Sequence, residues 1–267
     1  MEGSLMTPGH NSLSRREIVT LNLVGLISFF GLWQAAATLG FAPSQFLPSP
    51  FAVLEKLVEL TQHPFAGYTL QEHLFSSLMR FGLGFGLAAV IGVPLGLMMG
   101  WFSWIDDIVS APFEALRFVA PIAWVPFAAL WFGTGIGGPT LIIFSGAFPP
   151  CLINSYRGAK HVGVSFIEAG KMLGVSDLRM ITDVLLPASM PSIVAGLRVS
   201  AGLGWMSLVG AELIVASSGV GYILVKGQAS INTSIVMSGM VAIGIVGLII
   251  DILLRKIESH IRRKQGQ

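Results

Sequence analysis

FGLGFGLAAVIGVPLGLMMG, residues 81–100, is a stretch of twenty residues without one charged side chain. A helix needs about 20 mainly apolar residues to cross the hydrocarbon core of a bilayer. We therefore predict a membrane span that begins near Leu74 and ends near Trp101. The whole chain has the same character: 53% of its 267 residues are hydrophobic, 11% are charged, and the mean hydropathy is +0.76. A soluble domain carries about 25% charged residues, so lipid is expected to be the main solvent of this chain.

Five other apolar segments extend this prediction to the fold class. Prolines interrupt two of them, at Pro121 and Pro126 and at Pro149-Pro150. We predict an all-α polytopic membrane protein with six transmembrane helices. The other five predicted spans are Ile18–Phe41, Phe118–Phe132, Thr140–Tyr156, Ser192–Ala216 and Ile235–Leu254.

The segments between the spans carry weaker signals. FAVLEKLVEL, Phe51–Leu60, is predicted to form a short amphipathic helix, and the charges of Asp106, Asp107, Glu114 and Arg117 indicate a polar loop. GTGIGG, residues 133–138, contains a G-x-G-x-x-G match, which indicates dinucleotide binding only between a strand and a helix. Because it lies between two predicted spans, we interpret it as a tight turn on the non-cytoplasmic side.

The Lys and Arg residues indicate the orientation, because the cytoplasmic loops of membrane proteins are enriched in them. If the N-terminus is cytoplasmic, twelve Lys and Arg residues fall on that side and at most three on the other. Arg15 and Arg16 would then anchor a retained first helix rather than precede a cleaved signal peptide. The predicted parts are a cytoplasmic tail, 1–17, one transmembrane domain, 18–254, with a cytoplasmic loop at 157–187, and a basic cytoplasmic tail, 255–267.

Two ionisable residues of the fifth span are candidate pathway residues, because a charge in the bilayer is costly unless it faces protein or water. Arg198 and Glu212 are fourteen residues apart, which separates them by roughly 21 Å along a helix and places them on nearly the same face. They would line a translocation path or, alternatively, be structural, with Arg198 paired near the cytoplasmic end and Glu212 capping the other end. Asp251 is predicted to pair with Arg255, four residues later.

Small residues recur every four positions along one face of the second span and one face of the fifth. Such faces let helices approach closely in lipid. They are expected to pack helices within one subunit or, alternatively, across an interface between subunits. The residues are Gly92, Gly96 and Gly100 on the second span and Gly196, Ser200 and Gly204 on the fifth.

Several patterns of catalysis and cofactor binding are absent from the sequence. It has no G-x-x-x-x-G-K-[ST] phosphate loop, no H-E-x-x-H zinc motif and no G-x-S-x-G serine elbow. The single cysteine, Cys151, allows no internal disulfide and is expected to be a packing residue. The five histidines are expected to be solvated or at the membrane interface, and the net charge of +2 does not suggest nucleic acid. We expect no catalytic residue, no metal and no cofactor bound by this chain.

The polar segment before the fifth span has local signals of its own. SFIE, Ser165–Glu168, has the form of a capping box, which predicts a helix that begins near Phe166. Gly174 is expected to end that helix in a left-handed conformation. Ser176-Asp177 would begin a second short helix, and Pro187 would end the segment.

The same segment resembles a motif of the inner-membrane permease subunits of bacterial ABC importers: E-A-A, a glycine after three further residues, and I-x-L-P after nine more. All spacings are kept, while Gly170 replaces the second alanine and Val184 replaces the isoleucine. From about residue 45 onward the chain is similar to the nitrate, sulfonate, taurine and bicarbonate branch of this family. The similar stretches are FLPSPFAVLEKL (46–57), HLFSSLMRFGLGF (73–85), APIAWVPFAALWFGTG (120–135) and GLGWMSLVGAELI (202–214).

The resemblance implies a type I ABC importer permease with a cytoplasmic coupling-helix loop, in the bacterial inner membrane. It implies ATPase subunits that bind ATP and Mg, a periplasmic or lipid-anchored substrate-binding protein, and a second permease copy in a homodimer. The solute would be a small anion such as nitrate, sulfonate, taurine or bicarbonate. The ATPase-coupling residues would be Glu168, Ala169, Gly170, Gly174, Val184, Leu186 and Pro187, and the translocation path would include Arg80, Arg198, Trp205 and Glu212.

Three alternatives differ from this interpretation. A heteroaromatic or vitamin-precursor solute would leave the permease role unchanged. A self-contained secondary transporter would need no loop that docks an ATPase. A membrane-embedded enzyme would need paired catalytic groups within the spans, and Arg198 and Glu212 are too far apart to form one. The chain is therefore expected to be a translocating subunit and not an enzyme.

Overall fold

The computed structural model describes residues 14–40, 43, 45–133 and 135–264, and the regular elements within them are helices. Residues 1–13 of the predicted N-terminal tail, Phe41 of the first predicted span, Thr134 of the predicted turn and residues 265–267 of the predicted C-terminal tail lie outside the described residues. The helices are α1 Arg15–Thr38, α2 Pro50–Gln62, α3 Leu70–Trp101, α4 Ser103–Leu116, a 3₁₀ turn Pro121–Trp124, α5 Val125–Phe132, α6 Gly137–Lys160, α7 Val164–Met172, α8 Asp177–Arg179, a π-helical segment Met180–Leu185, α9 Leu186–Val215, α10 Val220–Ala229 and α11 Thr233–Lys264.

Each of the six predicted spans contains a helix within its described residues, but four helices, or five if a bent pair counts as one span, are long and apolar enough to cross a membrane. The segment from α4 to α5 adds a fifth candidate span to four continuous ones if its two helical parts, bent by 88°, form one span. The 24-residue helix α6 carries the polar residues Ser145, Asn154 and Ser155 and is not among these candidates. The four continuous candidates are Arg16–Thr38, Leu70–Trp101, Asp177–Val215 and Thr233–Arg263.

Helix α6 lies at the centre of the bundle, between α3 and α9. A Cβ atom on Gly96 of α3 would lie 2.6 Å from the Leu152 carbonyl oxygen of α6, so the two backbones are in direct contact. On the other side, a Cβ atom on Gly204 of α9 would lie 3.2 Å from the Ala147 Cβ atom. Both small-residue faces therefore pack helices within this chain, as in the first of the two alternatives above.

The predicted polar loop around Asp106 is wrong, because this segment forms helix α4. Ile105 is buried, so the helix has an apolar side that packs against the bundle. The carboxylate of Asp106 is stabilised by two hydrogen bonds. Its oxygens accept at 2.7 Å from the hydroxyl groups of Ser110, on α4 itself, and Tyr156, on α6. Charge density alone therefore indicated a loop where an amphipathic helix forms.

Local capping decides where α2 and α3 begin. α2 confirms the predicted short helix and begins at Pro50, where the Ser49 hydroxyl accepts a hydrogen bond of 3.2 Å from the Ala52 N–H group. α3 begins at Leu70, slightly before the predicted start, behind a capping box formed by Thr69 and Glu72. Helix α1 packs mainly on α2, and its apolar side chains are largely exposed.

Candidate functional site

The turn between α7 and α8 lies at one end of the bundle, which we call the loop end; the opposite end, which carries residues 216–219, is the far end. Gly174 has a φ of 68°. Its N–H group donates to the Lys171 carbonyl at 3.0 Å, and the Val175 N–H group donates to the Gly170 carbonyl at 3.1 Å. This pair of bonds is a Schellman motif, so the predicted left-handed end of α7 is confirmed.

The predicted start of α7 is wrong. The helix begins at Val164, with Gly163 in the capping position and no side-chain cap. Ser165 therefore lies inside the first turn, where it cannot form the predicted capping box. Glu168 is exposed and has neither a hydrogen bond nor an ion pair within the residues that the structure describes. Its carboxylate thus has no capping role and faces outward.

Pro187 does not end the loop segment, contrary to the prediction. Ser176 precedes α8, and α8 continues through the π-helical segment Met180–Leu185 into α9, so that residues 177–215 form one continuous helix. A proline has no N–H group to donate, and Pro187 directly follows the π-helical segment, where the hydrogen-bond pattern of the continuous helix is already irregular. The predicted second short helix is therefore the extension of a candidate membrane span.

Gly170 packs against this continuous helix. It is buried, and a Cβ atom at this position would lie 2.6 Å from Met180 Cε and 3.8 Å from Val184 Cγ2. Met180 and Leu185 are themselves buried. The missing methyl group thus leaves room for the Met180 side chain, which gives a physical reason for the glycine in place of the alanine of the resembled motif.

The outer side of the same turn is apolar and exposed. We call these side chains the loop surface; the exposed fraction reaches 87% for Met172 and 82% for Leu173. Exposed apolar patches on a polar loop mark interaction sites. The motif residues therefore divide into two groups: Glu168 and Ala169 lie on the exposed side, whereas Gly170, Val184 and Leu186 face the packed side. The loop surface consists of Val164, Phe166, Met172, Leu173 and Leu178.

At the far end, Glu212 and Arg80 form a buried ion pair. Glu212 is only 1% exposed, and its Oε1 atom accepts from Arg80 Nη1 at 2.9 Å. The Ser77 hydroxyl also donates to this carboxylate at 2.8 Å. Arg80 further donates to the Ser218 carbonyl at 2.6 Å and to its hydroxyl at 2.7 Å. Arg80 thereby ties Ser218 of the 216–219 connection to the buried carboxylate.

This cluster also caps helix α10. The N–H groups of Gly219, Val220 and Gly221 each donate at 3.0 Å, to His73 Nδ1, Ser77 Oγ and Glu212 Oε2 respectively. The carboxylate is placed where the helix dipole favours a negative charge. Gly219 has a φ of 110°, and a side chain there would collide with the Glu212 carboxylate.

His73 is therefore a fully buried histidine, and the prediction that all histidines are solvated or interfacial is wrong for it. Its Nδ1 atom accepts from Gly219, and its Nε2 atom lies 3.0 Å from the Phe65 carbonyl oxygen, to which it donates. Both ring nitrogens are satisfied, which is what permits the burial. No motif indicates this role, because Gly219, one of the two partners of His73, is 146 residues away in the chain.

Arg198 and Glu212 reach different partners, as their spacing predicted. Arg198 Nε donates to Asp251 Oδ1 at 2.7 Å, and Asp251 also accepts from Arg255 at 2.7 Å, which confirms the predicted pair. Trp205 is buried and donates to the Ile243 carbonyl at 3.2 Å. The contacts of these residues support the structural alternative for Arg198 and Glu212; the path-lining role of Arg80, Arg198, Trp205 and Glu212 stays a prediction.

A cavity of about 610 Å³ lies at the bend between α4 and α5. The connection 117–122, helix α6 and helix α9 line it, and α9 contributes Leu203, Met206, Ser207 and Gly210. Irregular backbone at membrane depth is tolerated where it lines a cavity or lies within protein. A smaller cavity of about 200 Å³ lies between α9 and α11 and includes Arg198 and Trp205 in its lining. Within the described residues, no His, Cys, Asp and Glu side chains cluster as a metal site.

Comparison with known proteins places this arrangement in a family context. Binding-protein-dependent transport system inner membrane components, as a family, match residues 92–263. The taurine transport system permease protein TauC of Escherichia coli is 34% identical over 256 residues, 96% of this chain and 92% of that protein. The nitrate import permease protein NrtB of Synechocystis sp. is 32% identical over 220 residues, 80% of this chain and 79% of that protein. Relatives named for aliphatic sulfonates and for bicarbonate match as well.

Solved structures of the MetNI methionine ABC transporter are similar in fold. An inward-facing structure of the MetNI methionine ABC transporter contains a chain that matches with a TM-score of 0.64 and 18% sequence identity. The match covers 72% of this chain and 95% of that chain. At this identity the likeness concerns the fold alone.

Proposed function

The chain belongs to the family of binding-protein-dependent transport system inner membrane components and is a permease subunit of an ABC importer; from this premise we propose that it carries a small anion across the bacterial inner membrane. The predicted family and its nitrate, sulfonate, taurine and bicarbonate branch are confirmed by the relatives, and the all-α type I importer fold by the structural neighbour. Taurine and nitrate, the cargoes named for two of those relatives, are small molecules with an anionic group, which supports this class of solute.

ATP would be bound and hydrolysed, with Mg, by separate ATPase subunits that dock on the loop surface. The observation that carries this proposal is the apolar character of that surface, at an end of the bundle where the neighbouring residues are charged. A second helix that is continuous with α9 gives a docked ATPase a direct connection to the membrane spans. ATP binding would draw the loops of two permease copies together and open the path at the far end, where a substrate-binding protein delivers the solute.

Replacing Leu173 by Glu tests the docking surface. A carboxylate in an apolar contact must lose its hydration, so we expect the purified chain to lose its ATPase subunits, measured by co-purification from the native host. Ala229→Glu adds the same charge to an exposed position at the far end and should leave the association unchanged. Retention of the ATPase by Leu173→Glu would count against the proposal.

The 610 Å³ cavity is the best-supported place for the solute path. Its lining includes exposed Met206, and its open side would be closed by a second copy of the chain, so that two equivalent halves form one path. Arg117 is the cation of this lining, and it is paired with Glu114 at 2.7 Å. Apolar side chains make up most of the rest, which also favours the alternative of a heteroaromatic or vitamin-precursor solute.

Binding measurements on the partner protein distinguish these solutes. The substrate-binding protein that co-purifies with the chain should bind taurine, nitrate or bicarbonate in calorimetric titrations if the anion proposal is right. Binding of a substituted pyrimidine in place of these anions would establish the alternative. Reconstituted uptake with the Arg117→Gln variant then tests whether the cavity carries the solute, because loss of its cation should lower anion uptake.

A further inference from the structure

We propose that Trp101 is a positioning residue that braces the coupling loop against α3, so that a displacement of the loop surface is passed on to the membrane bundle. This inference rests on the proposed ATPase-coupling function. Trp101 is the last residue of α3 and lies at the loop end, beside the Schellman turn. It belongs to neither the resembled motif nor the loop itself.

One side chain contacts both limbs of the turn. The indole N–H group of Trp101 donates to Asp177 Oδ1 at 3.2 Å, and Asp177 is the first residue of α8. The Lys171 ammonium group lies 5.9 Å from the centroid of the indole ring, and Lys171 is in the last turn of α7. A cation at this distance is attracted to the face of the ring. The indole therefore links α7 and α8 across Gly174.

Helix α7 has few other contacts that would hold it in place. Helix α7 has nine residues and lies between two glycines, Gly163 and Gly174, whose backbone can adopt more conformations than that of other residues. Its packing on the rest of the chain is concentrated on one side, where Gly170 meets Met180. Trp101 supplies a contact through a different residue of α7. With both contacts, α7 cannot pivot about its glycines without moving α3 or α9.

Helix α3 is suited to receive this displacement. Its 32 residues extend about 48 Å at 1.5 Å per residue, from the far end to the loop end. Along this length it is held to α6 by the backbone contact at Gly96. At its far end, Arg80 and Ser77 bind Glu212 of α9. A push at Trp101 therefore moves a connected body that reaches the 216–219 connection.

The test measures a far-end response to nucleotide in the intact complex of chain and ATPase subunits, reconstituted in nanodiscs. An environment-sensitive fluorophore is attached to Ala229→Cys; Cys151 is 1% exposed and should not react. Mg-ATP with vanadate is then added. We expect the fluorescence change to be about fivefold smaller in Trp101→Leu, the effect of losing one hydrogen bond and one cation–π contact. ATPase co-purification and basal hydrolysis should be unchanged.

Two further variants separate a brace from a general packing effect. Trp101→Phe keeps the ring but removes the N–H donor, and Asp177→Ala removes the acceptor from the other side, so both should lower the response by the same intermediate amount. Trp104 is the matched control, since it is exposed and its recorded contact is with the Phe102 ring. Trp104→Leu should respond like the unsubstituted chain.

The outcomes are distinguishable. A full response in both Trp101→Phe and Asp177→Ala would overturn the brace, whatever happens to the folding of Trp101→Leu. Loss of the ATPase subunits from Trp101→Phe would also overturn it, because the residue would then be part of the docking contact. Absence of an ATPase from the unsubstituted chain would overturn the proposed function itself, and the brace with it.

Discussion

Gly170 shows how one missing methyl group sets the packing of the coupling loop. We expect Gly170→Ala to cost less than about 1 kcal/mol, because the atom in its way, Met180 Cε, is the end of a flexible side chain. Gly170→Leu should cost about 1–3 kcal/mol, since it forces α7 away from the π-helical segment. Thermal unfolding in detergent measures both effects. Met180→Ala should partly restore the stability of Gly170→Leu; no restoration would mean that Met180 is not the obstacle.

The Arg80–Glu212 pair leads to a second expectation at the residue scale. Glu212→Ala leaves the Arg80 guanidinium buried without its partner and removes a cap of α10, so we expect a loss of about 3–5 kcal/mol in unfolding free energy. The side chains of the Arg117–Glu114 ion pair are 32% and 55% exposed, so Glu114→Ala should cost no more than about 1 kcal/mol. Similar unfolding midpoints for the two variants would contradict the buried role of Glu212.

The role of an individual residue could be predicted where it depends only on residues close to it in the sequence. Gly174 is an example, because a left-handed helix end depends on the glycine and its immediate neighbours. Ser165 is the opposite case: the spacing to Glu168 fits a capping box, but the helix begins one residue before Ser165 and the box cannot form. The partner of Glu212 is 132 residues away, so no pattern within one span could reveal it.

At the scale of single helices, α3 has two faces with different tolerances. A Cβ atom on Gly96 meets backbone of α6, which cannot move aside as a side chain can. We expect Gly96→Ala to lower the unfolding free energy by about 1–3 kcal/mol. Gly86 has nothing within 4 Å of an added Cβ atom, so Gly86→Ala should be neutral or stabilising by up to about 1 kcal/mol through helix propensity. Chemical denaturation of both variants in the same detergent compares them.

Equal stability of the Gly96→Ala and Gly86→Ala variants would contradict this expectation. It would show that α3 and α6 can separate at no cost. The glycine spacing that identified this face was visible in the sequence, whereas the choice between packing within and between subunits was not, because spacing does not name the partner helix.

Two helices escaped sequence analysis for a shared physical reason. In α4, charged residues suggested a loop, but Tyr156 of α6 and Ser110 satisfy the Asp106 carboxylate. In the 177–215 helix, Pro187 suggested a stop, but the helix continues through it, directly after the π-helical segment Met180–Leu185. In both segments, helix formation depends on contacts with neighbouring residues or on the backbone geometry of the preceding turn, and not on the type of the residue alone.

At the scale of the whole molecule, the orientation in the membrane can be tested with single cysteines. We expect Leu173→Cys to react with a membrane-impermeant maleimide only in inverted vesicles, because the excess of Lys and Arg places the loop end in the cytoplasm. Ala229→Cys at the far end should react in intact spheroplasts. The native Cys151 is buried and provides the unreactive background. Labelling of Leu173→Cys in intact spheroplasts would reverse the proposed orientation.

The class of molecule could be predicted because the features that indicate it are spread over the whole chain. A charge content of 11% and a loop motif with every spacing intact lead to an all-α importer permease. The membrane helices were harder to delimit, since a bent pair and a polar central helix depart from the simple apolar span. The cavity was hardest to predict, because the three elements that line it are separated in the sequence.

The glycine faces of α3 also have a consequence for how this chain can change over generations. Gly82 and Gly86 have open space around them, whereas Gly84 and Gly96 touch α6. Substitutions of Gly82 and Gly86 should accumulate freely among descendants of this protein. Those at the second pair should persist only with a compensating change on α6. One helix would thus record two rates of evolution, and their alternation along the chain would report its packing even where no structure is known.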